Sequence, residues 1–229
     1  MSTVLITGAN RGLGLEFSRQ YADSGWNVLA CCRVPEAADA LNALAVRHGN
    51  IRVHALDVGD FRQIDALASQ LGDQPIDVLL ANAGVYGDSA GFGALDYRQW
   101  SRTLLINAQA PVKLAEAFLP CLLRGKLRLI VPITSLMGSM GDNRGGGSLM
   151  YRSSKAALNA AMKTLSIDLK PQGVGVLILH PGWVKTDMGG DQAPTSATES
   201  VGGMIRVIRD FTLENSGRFF NFKGAELPW

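Results

Sequence analysis

Short runs of apolar, often β-branched residues recur along the chain, and a longer stretch with helical periodicity follows almost every one. The strand-like runs fall at 4–7, 28–31, 51–56, 78–81, 127–131 and 174–179, with a last short one at 218–221. Several are apolar at every position, as expected of strands covered on both faces. The intervening stretches predict helices near 13–24, 36–47, 61–71, 96–124, 151–170 and 199–213. Strand and helix alternating from end to end predict an α/β fold, a single Rossmann-like, doubly wound parallel sheet with helices on both faces. The 229 residues suit one domain over 1–229, with a core large enough to need no disulfide or metal staple. Two glycine-rich loops interrupt the pattern, near 138–150 and 186–198. Each follows a predicted strand, where open α/β sheets bind ligands, so both are expected to wall a substrate site.

Charge and cysteine usage exclude several classes. A net charge of +2 argues against nucleic acid or an anionic membrane surface as partner. No apolar run is long enough to span a bilayer, and Met1 to Val4 runs directly into a strand without the basic start of a signal peptide. Cys31, Cys32 and Cys121 make a poor disulfide framework and read as reduced, buried thiols, which points to the cytoplasm. The three histidines share no ligand spacing with them, so no metal is expected.

The first strand ends in Thr7-Gly8-Ala9-Asn10-Arg11-Gly12-Leu13-Gly14. Glycines at these places allow a tight turn, a close approach of backbone to pyrophosphate, and close packing of helix on sheet. The helix N-terminus then offers free N–H groups and positive potential to phosphate. Gly8, Asn10, Arg11, Gly12 and Leu13 are therefore candidate cofactor contacts. At the end of the second strand, where a carboxylate would accept from a ribose 2′-OH, the chain has Cys32 and then Arg33. Arg11 and Arg33 together suit a 2′-phosphate, which predicts NADP(H) rather than NAD(H).

Tyr151 and Lys155 stand four residues apart at the start of a predicted helix, one turn apart on one face. A free phenol, with a pKa near ~10, exchanges protons poorly at neutral pH. A neighbouring ammonium and an oxidised nicotinamide would both lower it, and reaching about 7 needs roughly 4 kcal/mol. Ser135 follows the fifth strand, where its hydroxyl could bond a substrate oxygen. Asn107 sits among leucines in the predicted helix 96–124, as either a functional amide or a satisfied core one.

In combination these residues resemble the short-chain dehydrogenase/reductase family over essentially the whole chain. Tyr151-Arg152-Ser153-Ser154-Lys155, His180-Pro181-Gly182-Trp183-Val184-Lys185-Thr186-Asp187 and the stretch from Ser216 to Phe220 are most similar to the group of C-factor and sniffer-type carbonyl reductases. The resemblance implies catalytic roles for Asn107, Ser135, Tyr151 and Lys155. It implies an adenine contact at Asp57 and Val58, and the family's Asn-Ala-Gly motif at Asn82, Ala83 and Gly84. It also places Pro181, Gly182, Val184 and Thr186 near the nicotinamide, with Tyr151 and Lys155 touching the cofactor as well. The gap from Ser135 to Tyr151 is a few residues longer than usual, so Ser139 rivals Ser135, which is favoured for following the strand directly. The implied activity is carbonyl–alcohol interconversion on a small molecule, with NADP(H); the apolar, small-residue surface of 151–170 predicts a homo-oligomer, a dimer or tetramer, joined through 96–124 and 151–170, and the resemblance points the same way. A C-factor-like signalling or NADP(H)-sensing role is the alternative. Tyr86, Met137, Met140, Met150 and Trp183 are candidate apolar walls for the substrate.

Overall fold

The computed structural model describes residues 1–229. In chain order, β1 (Thr3–Thr7), α1 (Gly12–Asp23), β2 (Asn27–Cys32), α2 (Asp39–Arg47), β3 (Ile51–Ala55), α3 (Phe61–Leu71) and β4 (Val78–Ala81) form the first half. The second half comprises α4 (Tyr97–Leu104), α5 (Ala110–Arg124), β5 (Leu129–Pro132), α6 (Leu149–Asp168), β6 (Gly175–Val176), β7 (Ile178–His180), α7 (Ala197–Arg209) and β8 (Phe219–Asn221). The main sheet is parallel throughout, in the order β3-β2-β1-β4-β5-β6.

Successive residues of a strand face opposite sides, and each side is covered. Leu5 belongs to a cluster of 26 buried residues shared with α3, α5 and α6, while Val4 and Ile6 belong to one of 24 shared with α1, α2 and α7. Near-equal cores on the two faces explain why the strands read as unbroken apolar runs. They also leave one place without cover, the crevice at the strand carboxyl ends where β1 has β2 on one side and β4 on the other.

Four expectations need correction. The helix expected over 96–124 is interrupted by a wide π turn at Leu105–Gln109, which carries Asn107. The strand expected over 174–179 splits at Leu177; β6 pairs with β5, while β7 pairs with β8 and touches the main sheet through Ile133 and Leu179. The strand expected from 127 starts at Leu129, because the Lys126 and Leu127 amides turn to the buried Asp77 carboxylate and Arg128 adopts a left-handed φ of +50°. Both expected loops also end early. Leu149 and Met150 already belong to α6, and Ala197 and Thr198 to α7, whose first turn is capped by Ser196.

Candidate active site

The crevice opens into a cavity of about 240 Å³. The glycine turn forms its floor. Gly8 holds φ at +66°, and a Cβ there would lie 3.0 Å from Ala83 Cα, so only glycine lets the turn nest against the segment after β4. A Cβ on Gly14 would strike the Gly8 carbonyl oxygen. The opposite wall is tied to this turn. Thr7 Oγ1 accepts from the Asn82 and Ala83 amides at 3.1 and 3.0 Å, and Asn82 Nδ2 donates to the Thr7 carbonyl at 2.9 Å. Asn10, Arg11, Gly12 and Leu13 complete the floor, and the first-turn N–H groups of α1 have no partner inside the helix. The residues fit a dinucleotide: a side-chain-free cradle at a helix N-terminus, with Asp57 and Val58 on one flank and Pro181 and Thr186 on the other.

Arg33 lines the cavity beside Cys32, as expected from the end of β2. Arg11 also lines it but already has a partner, because Nη1 donates to Asp187 Oδ2 at 2.5 Å. A Cβ on Gly12 would lie 3.4 Å from Thr186 Cγ2, so the segment after β7 crosses directly over the turn. Sequence reasoning missed Asp187 as a cavity residue; only its place one residue beyond Thr186 signalled it. Gly182 and Val184 stand back from the cavity. A Cβ on Gly182 would meet the Phe222 ring at 2.8 Å, and Val184 is buried and bridged to Thr195. They shape the segment that carries Thr186, and Ser200 Oγ fixes its start by donating to the Pro181 carbonyl at 2.6 Å.

Tyr151 and Lys155 also line the cavity. The first turns of α6 are pinned to the end of β5. Thr134 Oγ1 donates to Asn159 Oδ1 at 2.6 Å, and Gly138 packs so closely that a Cβ would lie 2.8 Å from the Lys155 carbonyl carbon. Lys155 Nζ is buried and donates to the Ile133 carbonyl at 2.8 Å. Burial pushes the ammonium down from 10.5 to about 8. The Tyr151 phenol moves the opposite way, up to about 12, because burial outweighs the lowering effect of the neighbouring Ser135 hydroxyl. The expected lowering by Lys155 is therefore not a property of the chain itself. The ammonium lies over the ring, 5.7 Å from its centroid, and desolvation dominates.

Ser135 faces Tyr151 and also accepts from the Met137 amide at 3.1 Å. Its rival Ser139 is buried and spends its hydroxyl on the Asp142 amide at 3.0 Å, which closes a local turn. Asn107 does not line the cavity. Its side chain clamps Val85, donating to the carbonyl at 2.8 Å and accepting from the amide at 2.9 Å, and donates to Ser154 Oγ at 2.9 Å. A Cβ on Gly84 would lie 3.2 Å from Asn107 Oδ1 and 3.7 Å from Lys155 Nζ, so both atoms border one hollow. Of the expected apolar walls, Met150 is wholly buried core, Met140 and Trp183 are exposed, and Met137 is half-buried. Tyr86 stacks on Tyr151, and Met188, which was not anticipated, lines the cavity. None of the seven helices is long and apolar enough to cross a membrane.

The family model described as short chain dehydrogenase matches residues 2–197. The chain is 48% identical to the C-signal of Myxococcus xanthus over 164 residues, covering 72% of this chain and 99% of that protein. Its structure is similar to the carbonyl reductase Sniffer of D. melanogaster, with a TM-score of 0.94, 38% identity and all of both chains covered. It is equally similar to an NADPH-bound carbonyl reductase from chicken fatty liver, with a TM-score of 0.94, 34% identity, and 100% and 99% of the two chains covered.

Proposed function

The chain belongs to the short chain dehydrogenase family, and from that premise we propose that it is an NADP(H)-dependent carbonyl reductase, interconverting a carbonyl and an alcohol. The observation that carries this reading is that Tyr151 and Lys155 line one cavity with the glycine turn, while Ser135 faces Tyr151. NADPH-bound and full-length carbonyl reductase relatives support it. NADPH, when bound, supplies the hydride. The backbone of Gly8 to Leu13 would cradle the pyrophosphate, and Arg33 and Arg11 would take the 2′-phosphate, Arg11 once released from Asp187. Asp57 and Val58 would border the adenine, while Asn82, Ala83, Gly84, Pro181 and Thr186 line the rest of the cleft.

Tyr151 donates its hydroxyl proton to the carbonyl oxygen, and Ser135 donates a hydrogen bond to the same oxygen, stabilising the charge that develops there. A phenol held neutral by burial starts in the right protonation state for this direction. Lys155 would hold the ribose of the cofactor and would present a positive charge to the phenolate left after transfer. Asn107 borders the Lys155 hollow and fixes the segment from Gly84 to Val85. We place the enzyme in the cytoplasm as a homo-oligomer.

Tyr151→Phe tests the reading. Reduction of a panel of aldehydes, ketones and quinones, followed by NADPH absorbance, should fall by about 10²–10⁴-fold in kcat, while NADPH affinity by fluorescence holds. Near-wild-type turnover would overturn it. A second reading, C-factor-like signalling or NADP(H) sensing with little turnover, draws on the similarity to C-signal. A pure sensor needs no buried Tyr–Lys pair, so NADPH binding without turnover on any carbonyl in the panel would favour it.

A further inference from the structure

Tyr86 is absent from the cofactor cavity, yet it is held at its backbone, its hydroxyl and its ring. Asn107 clamps Val85 on one side of it, and on the other Gly87, at φ +79°, sits against Met150. The Tyr86 hydroxyl shares a 2.7 Å hydrogen bond with Ser148. Ser148 has a left-handed φ of +46° immediately before α6, a conformation that a serine keeps only when its surroundings hold it there. Arg152 secures the same loop, donating to the Gly146 carbonyl at 3.0 Å. The ring of Tyr86 lies stacked on Tyr151, with centroids 4.6 Å apart and planes 23° from parallel.

We propose that Tyr86 is a positioning residue for the reaction: its stacked ring fixes the plane of the Tyr151 phenol and keeps water from it. The proposal rests on the reading of Tyr151 as proton donor. A tyrosine on α6 is free to turn about χ1 and χ2 unless packing stops it, and an error of about 1 Å in a reacting group is enough to lose about a hundredfold in rate. The groups that face the phenol are Lys155 from α6, Ser135 from the end of β5 and Tyr86 from the segment after β4. Burial and the neighbouring Tyr86 both raise its pKa, and Ser135 opposes them. Removing the Tyr86 ring therefore lets the phenol ionise at lower pH, so the alkaline limb of carbonyl reduction moves down.

The test uses Tyr86→Ala and Tyr86→Phe, each also combined with Tyr151→Phe. Ultraviolet tyrosinate titration of each background, minus its Tyr151→Phe counterpart, isolates the Tyr151 phenol and needs no substrate. In Tyr86→Ala the midpoint should fall by about one pH unit, and kcat for menadione reduction by about tenfold or more, with NADPH affinity within about twofold of wild type. Tyr86→Phe keeps the stacked ring and should recover most of the lost kcat. An unmoved midpoint, a Phe variant as impaired as the Ala variant, or a loss confined to NADPH affinity overturns the proposal. If Tyr151→Phe itself keeps its turnover, the proton-donor reading fails instead, and the titration alone still decides whether Tyr86 sets the phenol's environment.

Discussion

Lys155→Met should make the protein more stable at neutral pH while removing its activity. Lys155 is 5% exposed, and the one hydrogen-bond partner of its ammonium is the Ile133 carbonyl. Burial lowers its pKa from 10.5 to about 8. At about 1.4 kcal/mol per tenfold change in proton affinity, holding it charged in the native state costs roughly 3 kcal/mol. Below about pH 8 both folded and unfolded chains carry the charge, and the whole penalty applies. Between about 8 and 10.5 the unfolded chain binds the extra proton, so wild-type stability rises with pH; above 10.5 the penalty is gone. Methionine keeps most of the aliphatic stem without the charge. Losing the bond to Ile133 leaves its carbonyl without that donor, which returns about 1–2 kcal/mol. The net gain is about 1–2 kcal/mol at pH 7, or roughly 2–8 °C in Tm for a chain of this size. Calorimetry without cofactor, from pH 7 to 10, should show the variant melting higher at pH 7 and the advantage shrinking as pH rises. A lower Tm at pH 7, or a difference that ignores pH, refutes the reasoning.

Arg33→Ala should weaken NADPH binding roughly ten- to a hundredfold, for one charge-assisted contact at about 1.5–3 kcal/mol, and leave NADH nearly untouched in fluorescence titration. Arg11→Ala should lose less, because Arg11 gives up Asp187 to reach the phosphate; equal losses for both cofactors would remove the 2′-phosphate assignment. Light scattering at micromolar protein should return a dimer or larger mass, with Ile167 and Ala160 among the exposed apolar residues of α6 available to an interface; a monomeric mass contradicts it.

What the sequence disclosed well was whatever local pattern dictates. The two-faced burial of β1, β2 and β4 appears as unbroken apolar runs, and α3 lies at Phe61–Leu71, where its periodicity placed it. The glycine turn was legible because close approach leaves no other residue type possible. Features set by distant partners were hidden. The π turn at Leu105–Gln109 reads as ordinary helix, yet it coincides with the Asn107 clamp on Val85, 22 residues away. β5 starts late because of Asp77, about 50 positions earlier in the chain. Tyr86 meets Ser148 across 62 residues, so nothing in its local sequence marks it. The direction of the Tyr151 shift was missed for the same reason: a Tyr–Lys spacing shows that a charge is near, but not how much water has been removed.

Several of the buried polar residues gather at one junction. Thr134, Asn159, Tyr151, Ser154, Lys155 and Asn107 all lie where the end of β5 and the π turn meet the first turns of α6. The Asn159 Nδ2 group there has no partner. Apolar side chains at these positions would make a more stable helix–sheet contact, since an orphaned amide and a buried ammonium each work against folding. Stability comes instead chiefly from the two apolar cores on either side of the sheet. That separation lets α6 carry a buried charge at its start and ordinary core packing, through Leu158 and Met162, further along. The same helix therefore anchors the fold and holds the reacting groups, and a substitution that relieves the junction is expected to strengthen the first at the expense of the second.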